Sequence, residues 1–411
     1  MKIFRFSIIL CLILTASQSG DACTTFLISG KSTPDGKPIL YKNRDTDKLQ
    51  NALVSFSDGK YKYVGLVDCS ETSKNMVWGG YNETGFAIIN SAAYNNNIGD
   101  STKLIDREGV VMKLALQNCR TLEDFEQLLL SLPKPLGVDA NFGVIDAAGG
   151  AAYYETGNFR FIKYDANDPA VAPDGVLIRT NYSHSADPAK GYGFCRYNTA
   201  KIALNKAFAE KDLSPQHLFN AVSRNLTHSL TGTDLTTDLP SNKDIPSYKF
   251  FTDYIPRFST ASVVMIIGAQ DQTHAGETMM WTILGFPLTS VAVPVWISAD
   301  NRLPASVKMG ENQQSPLCNF ALKLKENCFP LHYGNGKNYI NLAVVVNKQN
   351  TGYLQQLQPV ENEIFSKAEK LRSEFEKGKK SDKMITEFYD WLDKYLQKNY
   401  KELFNLSLFE E

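Results

Sequence analysis

Four neighbouring pieces decide how this chain folds: Cys23-Thr24-Thr25-Phe26-Leu27-Ile28-Ser29, the turn residues Pro34-Asp35-Gly36, the run Pro38-Ile39-Leu40-Tyr41-Lys42, and Asn43-Arg44-Asp45-Thr46-Asp47. β-Branched and apolar residues fill both arms, and Pro-Asp-Gly is turn chemistry, so the pieces read as a hairpin. Closing it returns the far end of the second arm to Cys23. The same pattern continues outward. Runs at 51–56 and 61–67 flank a Ser-Asp-Gly turn, and 76–91 gives two strands around Asn82-Glu83-Thr84-Gly85.

The pattern changes at Arg107. Val111, Leu114, Ala115, Cys119, Leu122, Phe125 and Leu129 recur at helical spacing, with Thr121 and Asp124 placed like a capping pair. Strands return at 140–146, 151–156, 160–164 and 176–180. Helices are predicted at 196–209 and after Ser214-Pro215, where Ser caps and Pro takes the first helical position. Two more strands, 261–267 and 278–284, follow. The order predicts an α+β protein with antiparallel sheets and helices layered on them. In the tail, Ile364, Ala368, Leu371 and Phe375 form one apolar stripe ending at Gly378, and Met384, Ile385, Phe388, Trp391, Leu392 and Tyr395 form another. Two amphipathic helices fit, lying on the main domain or on a second subunit. The chain divides into a leader (1–22), a main domain (23–350) and a helical extension (351–411).

Over 411 residues, 43 Lys and Arg balance 44 Asp and Glu, which leaves no electrostatic reason to expect nucleic acid or an anionic membrane as partner. Hydrophobic residues at 43% and charged residues at 21% are the ordinary globular mixture, so the chain folds. Lys2 and Arg5 precede an apolar run at 6–16, and Gly20-Asp21-Ala22 puts small residues where signal peptidase reads. That run is shorter than the roughly 20 residues of a membrane-spanning helix, and no later segment qualifies. Gly20 stands where a lipoprotein signal needs a Leu-like residue. The expectation is an exported chain, secreted or periplasmic, whose mature form begins at Cys23.

Six cysteines follow the leader: Cys23, Cys69, Cys119, Cys195, Cys318 and Cys328. Cys318 and Cys328 bracket a short segment and could pair; otherwise these are small buried hydrophobes. No CxxC pair occurs, and His184, His217, His228, His274 and His332 lack the short spacings of zinc sites. Neither a metal nor a cofactor is indicated.

A Cys made N-terminal by processing carries nucleophile and base on one residue. Its α-amine, with a pKa near ~8, takes the thiol proton directly or through a water. Taken alone, Asn43-Arg44-Asp45-Thr46-Asp47 reads as a solvated strand end with ordinary ion pairs. Returned beside Cys23, it gains a second reading. A guanidinium about 4 Å from the sulfur is worth on the order of 4 kcal/mol at an effective dielectric of about 20, which favours the thiolate.

These residues resemble a family. Cys23-Thr24-Thr25, the Asp35-Gly36 turn and Asn43-Arg44-Asp45-Thr46-Asp47 look like the opening of the N-terminal nucleophile hydrolases of the linear-amide type, which include choloylglycine hydrolase, penicillin V acylase, acid ceramidase and the isopenicillin N acyltransferase-like proteins. The resemblance continues through 80–90 and Thr180-Asn181-Tyr182 to Arg196 at a helix start, and runs to about residue 284. It implies a four-layer αββα sandwich. It implies Cys23 as nucleophile, Arg44 and Asp47, three residues apart, as the pair tuning thiol and amine, and Asn181 with the Asn90 backbone N–H as oxyanion hole. Arg196 resembles the second arginine of the network, with Arg257 as its competitor, and Asp45 has no counterpart. Asn82 reads as a turn residue before Gly85.

The activity implied is cleavage of a non-peptide or N-acyl amide bond of a small-molecule substrate, with acyl transfer if a second amine resolves the thioester. A dipeptidase of the related branch is the alternative within the class. A papain-like protease is disfavoured because Cys23 precedes a strand. An exported binding protein is the alternative outside enzymology. The acyl group and amine belong to pocket loops that a sequence does not position.

Overall fold

The computed structural model describes residues 22–409 apart from 72, 73 and 299. The expected leader therefore lies outside the described residues except for Ala22. Ala22 opens β1 (Ala22–Ile28), which pairs antiparallel with β2 (Ile39–Asp45) in the expected hairpin. The register sets Ala22 opposite Asp45, Cys23 opposite Arg44 and Thr25 opposite Lys42. Nearly every residue of both strands is buried. Buried on both faces, such strands have no solvent side that would force polar alternation.

The second sheet is a meander of seven strands: β3 (Asn51–Phe56), β4 (Tyr63–Asp68), β5 (Gly79–Asn82), β6 (Ala87–Ala92), β7 (Ala140–Ile145), β8 (Ala151–Thr156) and β9 (Phe161–Asp165). The chain then returns to the first sheet through β10 (Val176–Arg179), which pairs with β1. Two small hairpin pieces, β11 (Thr227–His228) and β12 (Thr233–Asp234), and a short strand, β13 (Tyr248–Phe250), precede β14 (Thr260–Ile267), β15 (Met279–Leu284) and β16 (Val293–Val295). The first sheet has the order β10-β1-β2-β14-β15-β16. A last strand, β17 (Tyr339–Asn341), pairs with β13.

Helices close both outer faces. α1 (Glu108–Asn118) and α2 (Leu122–Ser131) cover the second sheet, with Phe125 packed edge-on to Phe142 and Tyr154. The capping box predicted from Thr121 and Asp124 forms. On the other side lie α3 (Phe194–Glu210), α4 (Pro215–Leu218), α5 (Pro316–Cys328), α6 (Leu342–Val345), α7 (Tyr353–Glu374) and α8 (Asp382–Phe404). The result is the four-layer αββα order, with antiparallel sheets facing each other.

The tail helices take the first of the two places open to them. Trp281 of β15 meets the Phe365 ring at 4.4 Å, and Trp296 lies edge-on to Phe375 and Phe388. The Tyr389 hydroxyl accepts from Trp296 N at 2.7 Å and donates to its carbonyl. Glu361 of α7 receives Arg224 on both oxygens. The extension thus shares the core of the first sheet.

α5 was not foreseen, and it corrects the proposed disulfide. Cys318 and Cys328 stand ten residues apart on one helix, about 15 Å by its rise, and a disulfide needs Cα atoms within about 7 Å. All six described cysteines are unbridged.

Candidate active site

Alternation along a strand puts Cys23, Thr25, Lys42 and Arg44 on the face turned to the second sheet, and Thr24, Asn43 and Asp45 on the face turned to the helices. Each face of the Cys23 end carries its own chemistry.

On the thiol face, Arg44 donates from Nη1 to Asn51 Oδ1 at 2.9 Å, and its guanidinium lies 4.9 Å from the centre of the Trp78 ring. Ser262 Oγ donates to the same Asn51 oxygen, which fixes the acceptor. Lys42 sends Nζ to Asn90 Oδ1 at 2.6 Å and to the Trp78 carbonyl at 2.8 Å. Both cations are buried, and both sit on neutral acceptors. Their field favours negative charge on this face, to which strand alternation turns the buried Cys23 side chain, and the thiol also lies within electrostatic reach of Arg196.

On the helix face the backbone of Cys23 is held from both sides. Its N–H donates to Asn181 Oδ1 at 3.1 Å, and its carbonyl accepts from Arg196 Nη1 at 2.6 Å. Arg196 also donates to Thr24 Oγ1 and, from Nη2, to Asn181 Oδ1 at 2.7 Å. Asn181 follows β10 and is tied to Tyr192 by a reciprocal pair of backbone hydrogen bonds, while its Nδ2 donates to the Ala92 carbonyl. Gly193, at φ +93°, precedes α3; a Cβ there would stand 2.3 Å from Arg196 Nη2. Glycine is what lets Arg196 fold back over its own helix start. Burial, then the nearby Arg257 charge, pushes the Arg196 guanidinium down to about 9, against the pull of Asp45.

Asp45 lies between the two arginines. Its carboxylate accepts from Thr260 Oγ1, from Asn43 Nδ2 at 3.0 Å and from Arg257 Nη2. Burial raises its pKa, opposed first by Arg257 and then by Arg196. Arg257 Nη2 also reaches the Ala22 carbonyl at 3.3 Å, the acyl side of the bond expected to be cut in maturation. Arg196 and Arg257 are therefore not competitors for one place: the first holds Cys23 and Asn181, the second Asp45 and Ala22.

Asp47, which the resemblance implies for the amine, lies apart from this cluster: its side chain is exposed and meets Thr46 Oγ1 at 3.4 Å. Asp45 is the last residue of β2 in register with both neighbours, Ala22 and Thr260. At Thr46 the N–H turns to the Ser259 carbonyl and the chain leaves the sheet. Asn90 lies on β6 opposite Phe142, its side chain spent on Lys42. Asn82 is the expected turn residue, accepting from Thr84 and Phe86.

The sequence reading missed Lys42, Thr260 and a buried lysine, Lys325. Lys42 was findable, because it precedes Arg44 by two and so shares its face. Thr260 and Lys325 carry no local signal. Among the described residues, no three His, Cys, Asp or Glu gather as metal ligands, and no helix is long and apolar enough to cross a membrane.

No family model matches this chain, and no curated protein matches it. Among solved structures it is similar to a Caenorhabditis elegans N-acylethanolamine-hydrolyzing acid amidase ortholog, at 17% identity and a TM-score of 0.39 over 49% of this chain and 86% of that one. It is similar to penicillin V acylase from Agrobacterium tumefaciens, at 14% identity and a TM-score of 0.40 over 67% and 86%. It is likewise similar to a conjugated bile acid hydrolase mutant from Clostridium perfringens, at 11% identity and 0.40 over 67% and 92%. Likeness at this level assigns no activity, so function is argued from the geometry around Cys23.

Proposed function

We propose that this protein is an exported amidohydrolase that uses Cys23, freed as the N-terminal residue, to cleave a non-peptide or N-acyl amide bond. One observation carries the reading. The backbone nitrogen of Cys23 lies on Asn181 Oδ1, between two arginines and a buried carboxylate, while its side chain faces two further cations. With Ala22 attached, that nitrogen is an amide and cannot act as a base. Once it is freed, an α-amine at this point takes the thiol proton, and Asn181 Oδ1 stands ready to accept from the ammonium.

In the cycle, the thiolate attacks the substrate carbonyl carbon and forms the C–S bond. Asn181 and the Asn90 N–H take the developing oxyanion, a role supported by the position of Asn181 against Cys23. The α-ammonium gives its proton to the departing amine as the C–N bond breaks. Water, deprotonated by the same amine, then resolves the thioester to a carboxylic acid. An amine in place of that water would make the site an acyltransferase.

The test has two parts. Mass spectrometry of the mature protein is expected to show Cys23 at the N-terminus. A panel of N-acyl amides is expected to be hydrolysed by that form and not by Cys23→Ala. A mature chain that starts elsewhere, or equal turnover by the alanine variant, ends the proposal.

A further inference from the structure

Away from both faces of the Cys23 end, a buried cation is held by backbone carbonyls and aromatic rings. Lys325, on the unforeseen helix α5, is 3% exposed. Its Nζ donates to the carbonyls of Phe258 and Thr260, the latter at 3.2 Å, and lies about 5 Å from the centres of the Phe258 and Phe286 rings. Burying an ammonium against two carbonyls and two rings is costly when an apolar side chain would fill the space.

The two carbonyls belong to a single turn, 257–260, and that turn carries the partners of Asp45. Thr260 Oγ1 and Arg257 Nη2 both donate to the carboxylate, Arg257 N donates to Thr260 Oγ1 at 3.0 Å, and the Ser259 carbonyl accepts from Thr46 N. Lys325 grips the turn from behind at the residues that flank those contacts. We infer that Lys325 is a positioning residue of the active site, which fixes the 257–260 turn against Asp45 and sets a positive charge behind that carboxylate. This deepens the function proposed above and rests on it for its kinetic consequence. The charged groups that face Asp45 are Arg257 from the turn, Arg196 from α3 and Lys325 from α5; Lys325 itself faces the Asp45 carboxylate and the Cys318 and Cys328 thiols, both of which burial keeps protonated. Burial brings the Lys325 ammonium down to about 7, opposed first by Asp45.

The sign is fixed by Coulomb's law. A cation favours the ionised form of Asp45, so removing it moves the carboxyl titration to higher pH. The test uses Lys325→Met, which fills the same space between two rings without charge, and Lys325→Gln, which keeps a donor. Each is checked for its fold by near-ultraviolet circular dichroism. Both are expected to lower kcat about tenfold with KM within about threefold, and to shift the acid limb of kcat upward in pH. A lysine of merely structural worth would change melting temperature and leave that limb in place. The Asp45 carboxyl carbon, labelled with 13C and assigned through Asp45→Asn, reads the same shift without substrate. An upward shift in both folded variants supports the inference even if no amide is cleaved, in which case only the proposed activity fails. An unmoved Asp45 titration in either folded variant overturns it.

Discussion

The two faces of the first sheet differ at the Cys23 end although both are buried. Toward the second sheet stand cations on neutral acceptors, Lys42 on Asn90 and Arg44 on Asn51. Toward the helices stand one ion pair, Asp45 with Arg257, and Arg196 clamping backbone and Asn181. The first arrangement favours a thiolate; the second, with a carboxylate among its cations, suits a group that must gain and lose one proton. The strand between them has period two, so one residue delivers its thiol to one environment and its nitrogen to the edge of the other.

The largest expected effect tests whether the thiol face holds the nucleophile at all. Cys23→Ser should keep the circular dichroism spectrum and lose kcat by about a thousandfold or more, since a hydroxyl is far harder to ionise. A serine form of equal turnover would remove the thiol face from the mechanism.

The next effect separates the two aspartates. Asp45→Asn should lower kcat by at least about tenfold, equivalent to about 1.4 kcal/mol of barrier, and Asp47→Asn by less than about twofold. If steady-state kinetics returned the opposite order in folded proteins, the helix face would have been assigned to the wrong carboxylate.

A sharper cut compares cations across the faces. Arg44→Met should slow alkylation of Cys23 by iodoacetamide at neutral pH about tenfold, because the cation opposite it across the hairpin is gone. Peptide mapping locates the label. Equal slowing in Arg257→Met would erase the distinction between the faces.

The smallest effect lies away from both. Tyr389→Phe leaves the Trp296 N–H and carbonyl without their shared partner and should cost about 1–3 kcal/mol in urea unfolding, with kcat unchanged. A fall in kcat there would show that the tail helices bear on the site.

Much of this was legible without coordinates. The hairpin from Cys23 to Asp45, the meander after it, the capping box at Thr121 and the amphipathic tail follow from period, turn chemistry and caps, which are local properties of a chain. So does the pairing of Cys23 with Arg44, because a closed hairpin has a register. What local reading could not supply was where β2 ends. Two aspartates two residues apart share a face only while the strand lasts, and the Thr46 N–H is turned away by a carbonyl from residue 259. The same holds for Arg257, Thr260 and Lys325, which reach Asp45 from more than 200 residues away along the chain. Sequence by itself determined the strands, their pairing at the chain start and the kinds of groups available. Only the tertiary structure decided which carboxylate is buried beside Cys23 and which cations face it, since contacts made by packing remote segments leave no periodic trace in either segment alone.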